Sequence, residues 1–138
     1  MQPVKALNHV GIAVRSIEVQ RPFYESTLGA EFEGLEDVAT QKVRVAFFRI
    51  GDVRLELLEP TDPASAVAKF LDTRGEGLHH LAFTVEDINE RIAELKSAGL
   101  RMIDDTPRPG AHHMQIAFVH PKSTHGVLTE LCQPPKAS

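Results

Sequence analysis

The chain has 138 residues, 15 Lys and Arg against 19 Asp and Glu, a net charge of −4, 42% hydrophobic residues and one cysteine. That is enough for one globular domain, or for two small halves sharing a core, and the balance of apolar and charged residues is ordinary. It excludes an internal disulfide framework, argues against nucleic acid as a partner, and contains no apolar run approaching the roughly 20 residues of a membrane helix.

The N-terminal MQPVKALNHV has neither a signal-peptide apolar region nor an Arg- and Ser-rich transit pattern, so a cytoplasmic protein is expected. Val10, Ile12 and Val14 alternate with His9, Gly11 and Ala13, the period of a strand with one packed face. Ser16 reads as an N-cap, and Ile17, Phe23, Tyr24 and Leu28 as the core stripe of a helix ending near Gly29. Strands follow at about 30–36, 42–50 and 52–59, the last two joined by a tight turn at Gly51-Asp52. A Pro-, Ala- and Ser-rich stretch then starts a short helix carrying Val67, Phe70 and Leu71. Beyond Gly75-Glu76-Gly77 the order repeats: a strand at 78–85, a helix at 87–98, and strands at about 100–104, 114–119 and 126–132. Pro107, Pro109 and Gly110 interrupt with a loop, and the terminal PPKAS is expected to fray.

This order is an internal duplication. LNHVGIAV (7–14) returns as LHHLAFTV (78–85), and VRLELLEP (53–60) as VLTELCQP (127–134). The expected fold is α+β: two tandem βαβββ modules, about 5–60 and 77–134, joined by a connector helix within 61–76, in a single domain spanning 1–138. Strand parity turns His9, Glu56, His80 and Glu130 away from the helices, whereas His79 falls on the packing face. If the mixed sheets curl together, those four side chains line one cleft. A lone His or Glu on a strand is ordinarily a solvated side chain, but two imidazoles and two carboxylates placed by duplication make a divalent-metal donor set. Co, Ni, Mn, Fe(II) and Zn all suit it.

The stretches LNHVGIAV, QKVRVAFFRIGDVRLELLEP, SAVAKFL, RGEGLHHLAFTVEDI, DDTPRPGAHH and HPKSTHGVLTELC resemble the vicinal oxygen chelate superfamily. Within it they are most similar to the methylmalonyl-CoA epimerase family, over about residues 5–133. The resemblance implies a metal-dependent epimerase acting on an acyl-CoA thioester, with His9, Glu56, His80 and Glu130 as ligands of a divalent ion. Glu130 and Glu56 are then the candidate acid/base residues, should either loosen from the metal. Some relatives carry a further glutamate on the strand matching 41–47. Here that stretch reads QKVRVAF, without a carboxylate, and the second proton donor stays open. Lys122, Ser123 and Arg108 are candidate substrate-binding residues, with the 110–113 loop able to close over a thioester. His112 and His113 read as solvated loop, and Cys132 as a small apolar filler. The same ligand set fits glyoxalase I (lactoylglutathione lyase), against which HPKSTHGV stands. An extradiol dioxygenase needs one ligand fewer, and a non-enzymatic ligand-binding member of the fold would lack the ligands altogether. Relatives imply a homodimer, with neither nucleic acid nor membrane as a partner.

Overall fold

The computed structural model describes residues 1–136. Of the PPKAS tail, Ala137 and Ser138 lie outside the described residues. Contacts divide the chain into two compact units, residues 9–79 and residues 1–8 with those from 80 onward. The fold is α+β, and each βαβββ order expected from the repeat is present.

The unit of residues 9–79 contains most of β1 (Ala6–Ala13), α1 (Ile17–Pro22), β2 (Glu31–Val38), β3 (Val43–Ile50), β4 (Val53–Pro60) and α2 (Ala66–Arg74). Its strands run in the order β2-β3-β4-β1. β1 and β4 are parallel, and the other pairs are antiparallel. Ser16 caps α1 by accepting from the Val19 N–H at 3.3 Å. Val14, Ile17, Ala30, Ala46, Phe48 and Leu57 form the buried cluster between helix and sheet, flanked by Tyr24 and Phe32. The Phe48 ring lies 5.8 Å from Tyr24 and 5.5 Å from Phe32.

The first helix departs from the uninterrupted stripe expected through Leu28. It is α-helical only to Pro22 and continues as a π turn over Phe23–Thr27. Proline has no N–H to continue the ladder and its ring crowds the preceding turn. The wider turn closes with the Leu28 N–H on the Phe23 carbonyl at 3.0 Å. The widening rotates Phe23 and Leu28 outward, to 50% and 52% exposure, so Phe23 is not helix core whereas Tyr24 is.

The other unit contains most of β5 (Gly77–Thr84), α3 (Ile88–Ser97), β6 (Arg108–Pro109), β7 (Gln115–Val119) and β8 (Thr129–Gln133). Its order is β6-β7-β8-β5, with β5 and β8 parallel. Asp87 caps α3 by accepting from the Glu90 N–H at 3.0 Å. Val85, Ile88, Ile92, Met102, Ala117, Val119 and Leu131 make its helix-facing core. The N-terminal segment is tied to this unit by Lys5 N–H on the Thr84 carbonyl at 2.8 Å and Asn8 Nδ2 on Thr84 Oγ1 at 3.1 Å.

Two expected strands are shorter than the pattern suggested. At 100–104 there is one bridge, Met102 with Val119. Ladder pairing resumes only at β6: the Phe118 N–H goes to the Asp104 carboxylate at 2.9 Å rather than to a backbone carbonyl, and Pro107 has no N–H to donate. The last strand starts at Thr129 rather than 126, and Val127 is 45% exposed. No helix among the described residues is long and apolar enough to cross a membrane.

Candidate metal centre

On β1, His9, Gly11 and Ala13 share the face opposite α1, and all three are buried. The parallel register sets Gly11 beside Glu56, and the antiparallel register sets Phe47 beside Glu56. One face therefore carries both polar side chains. His9 is 2% exposed and Glu56 4%. His9 Nδ1 stands 3.1 Å from Glu56 Oε2. That oxygen nevertheless accepts no hydrogen bond, so the approach lacks donor geometry. A buried imidazole and an unsatisfied carboxylate oxygen this close together are of the donor types that suit a divalent ion.

Burial pushes the Glu56 carboxyl up to about 8; Arg54 opposes the shift and the Glu36 charge adds to it. A carboxylate so far from water is costly unless a cation faces it. An unsatisfied buried oxygen next to an imidazole fits a divalent ion.

The other unit repeats the arrangement. β5 parity puts His80 and Ala82 on the face opposite α3, and the parallel register sets Ala82 beside Glu130. His80 is 5% exposed and Glu130 3%, with His80 Nε2 at 3.4 Å from Glu130 Oε1. Phe118, cross-strand neighbour of Glu130, supports the His80 ring edge-on at 5.4 Å. His79 occupies the other face, edge-on to Phe70 at 5.0 Å, and burial lowers its pKa to about 4, which keeps it a neutral packing group. The alternation that selected His80 over His79 thus matches what each ring touches.

The family model of the Glyoxalase/Bleomycin resistance protein/Dioxygenase superfamily matches residues 8–118. The chain belongs to this superfamily. Among curated members it is 48% identical over 128 residues to uncharacterized protein YqjC of Bacillus subtilis, covering 93% of this chain and 91% of that protein. It is 40% identical to the ethylmalonyl-CoA/methylmalonyl-CoA epimerase of Cereibacter sphaeroides, covering 92% and 96% of the two chains. A solved structure of a variant Streptomyces coelicolor methylmalonyl-CoA epimerase in complex with 2-nitronate-propionyl-CoA superposes with a TM-score of 0.93. It is 38% identical, with 99% of each chain covered.

Within this superfamily member the remaining candidates fall at different places. Arg108 pairs with Asp104 (Nε to Oδ1, 3.2 Å), and its guanidinium lies 5.7 Å from the centre of the Phe118 ring. Phe118 therefore touches both Arg108 and His80. Lys122 is exposed on a 3₁₀ turn, Pro121–Ser123, and its N–H is held by His120 Nδ1 at 3.0 Å. Ser123 Oγ accepts from the Arg101 N–H at 2.8 Å, bracing the loop that leads into β8. His112 and His113 adopt left-handed φ values of 55° and 59°; His113 is exposed and His112 half-buried. Cys132 is fully buried among Ala82, Met114, Ile116 and Phe118, as a packing residue.

One acidic residue near the first pair had escaped the sequence pattern. β2 slips register between Phe32 and Gly34, so that Phe32 opposes Phe48 while Gly34 opposes Phe47. Glu33 is the inserted residue of a bulge, its two carboxylate oxygens each 3.0 Å from Arg54 Nε and Arg49 Nε. One extra residue inverts strand parity. Alternation counted from Phe32 assigns Glu36 to the helix side. The bulge instead sets Glu36 opposite Val45, on the face of Phe47 and Glu56. The available signal was a glycine, Gly34, inside an otherwise regular strand.

Proposed function

We propose that the chain is a metal-dependent epimerase that interconverts (2R)- and (2S)-methylmalonyl-CoA. The observation that carries this reading is the buried His–Glu pair occurring once in each module, His9 with Glu56 and His80 with Glu130. The named epimerases among its relatives support the substrate.

We assign His9, Glu56, His80 and Glu130 as ligands of one divalent ion: Co, Ni, Mn or Zn by donor type. When bound, that ion supplies Lewis-acid stabilisation of the charge developing on the thioester oxygen as C2 loses its proton. Glu130, on β8, takes the C2 proton from one face through a carboxylate oxygen that the ion does not hold. Inversion requires a proton from the opposite face, so a second group must act there. Glu56 is the ligand candidate for that second role. Arg108 offers a fixed guanidinium fork to the substrate carboxylate. Lys122 offers an exposed point charge to the CoA phosphates, and the Ser123 hydroxyl, having accepted from Arg101, retains its proton to donate. The working assembly is a homodimer in the cytoplasm, where the buried free thiol of Cys132 suits a reducing medium.

The test is to incubate metal-loaded protein with (2S)-methylmalonyl-CoA in deuterium oxide and follow C2 by NMR. Deuterium entry with appearance of the 2R epimer is expected. Absence of both, or turnover of methylglyoxal hemithioacetal instead, would reject the assignment in favour of another activity of the fold.

A further inference from the structure

We infer that Glu36, turned onto the His9–Glu56 face by the bulge at Glu33, is one of the two acid/base groups that move the C2 proton. The inference rests on the epimerase reading and supplies a group that reading leaves without a dedicated residue.

Epimerisation at a carbon beside a thioester needs a proton carrier on each face of the planar enolate. A carboxylate that is also a ligand can carry a proton only through an oxygen the cation leaves free, so Glu130 can serve one face, and a carboxylate that is not a ligand suits the other face better than Glu56 does. The face of Glu56 must therefore offer a carboxylate outside the ligand pair. β3 offers none: its residues there are Val43, Val45 and Phe47, all buried. β2 offers one. Glu36 opposes Val45, Val45 opposes Leu58, and Phe47 opposes Glu56. Glu36 is thus two strands and one pleat repeat from Glu56. With strands ~4.8 Å apart and alternate residues ~6.7 Å apart, the two Cα atoms are separated by roughly 12 Å. Both residues lie on the same face of the sheet. The separation is short enough for the Glu36 charge to bear on Glu56. Glu36 is half-buried, reachable by a substrate and by the solvent that resets its protonation. Leu35 and Asp37, its neighbours, face the other way, Asp37 being occupied with Arg44 at 2.8 Å.

The proton balance is simple. The Glu36 carboxylate takes the C2 proton, and the C–H electron pair becomes the enolate π bond. A protonated group on the opposite face then returns a proton, and that pair reforms the C–H bond with inverted configuration. Exchange with water restores the starting protonation.

The experiment compares wild type, Glu36→Gln and, as control, Glu31→Gln on the same strand, each metal-loaded, in deuterium oxide with each epimer separately. Glu36→Gln is expected to lose epimerisation by about 10²-fold or more, the usual contribution of a general acid or base. One epimer should still exchange its C2 proton with retention, through the remaining carrier, and metal content and Tm should match wild type. Glu31→Gln should behave as wild type. Epimerisation by Glu36→Gln at the wild-type rate would overturn the role of Glu36 alone. So would equal loss of exchange from both epimers, since that reports damage to the shared site. A wild type that leaves methylmalonyl-CoA unchanged would overturn this inference together with the epimerase reading.

Discussion

At the scale of single residues, two positions show how local chemistry is fixed. Glu33, in the bulge, is held by Arg49 and Arg54, and their hydrogen bonds keep its carboxyl below the usual value of 4.5. A carboxylate depressed in the folded state contributes stability that is complete above its unfolded pKa and is lost as pH falls through the lower folded value. The Tm difference between wild type and Glu33→Gln should therefore be present at neutral pH and close as the pH drops below about 4.5. Thermal melts across that range measure it. Gly110 is fixed by space instead. A Cβ there would stand 2.7 Å from Cγ2 of Ile116, a residue only 1% exposed and unable to yield. Gly110→Ala should cost ~1–3 kcal/mol in urea unfolding, the usual penalty of overpacking.

At the scale of elements, α1 and its π turn are anchored by aromatic packing rather than by helix length. Phe48 is fully buried and contacts both Tyr24 and Phe32. Phe48→Ala should lower unfolding stability by ~3–5 kcal/mol, read from the denaturant midpoint. Elements with a clean period were legible in the sequence. The alternation in 7–14 and 78–85 gave both histidine-bearing strands and their faces, and Ser16, the one N-cap expected, does cap its helix; the caps at Ser65 and Asp87 were not anticipated. Elements governed by a single irregularity were not. Pro22 was visible, but its consequence, a wider turn that expels Phe23, depends on how the backbone reconnects downstream. Pro107 and Pro109 signalled a loop, yet the shrinkage of 100–104 to one bridge depends on which carbonyls of β7 find donors. The bulge at Glu33 hid Glu36 entirely, because alternation carries no information across an inserted residue.

At the scale of the whole molecule, duplication accounts for why two histidines and two glutamates are buried in a chain of ordinary composition. Each module independently sets an imidazole from its first strand beside a carboxylate from its last, within 3.1 Å in one and 3.4 Å in the other. Each pair supplies two donors, and the proposal that both serve one cation would give it four. Metal stoichiometry tests that assignment most directly. Protein loaded with cobalt or nickel, desalted and analysed by elemental mass spectrometry, should hold one ion per chain. His9→Ala and His80→Ala, from different modules, should each lose it. Two ions per chain, or a His9→Ala variant that keeps its ion as tightly as wild type, would contradict a shared centre.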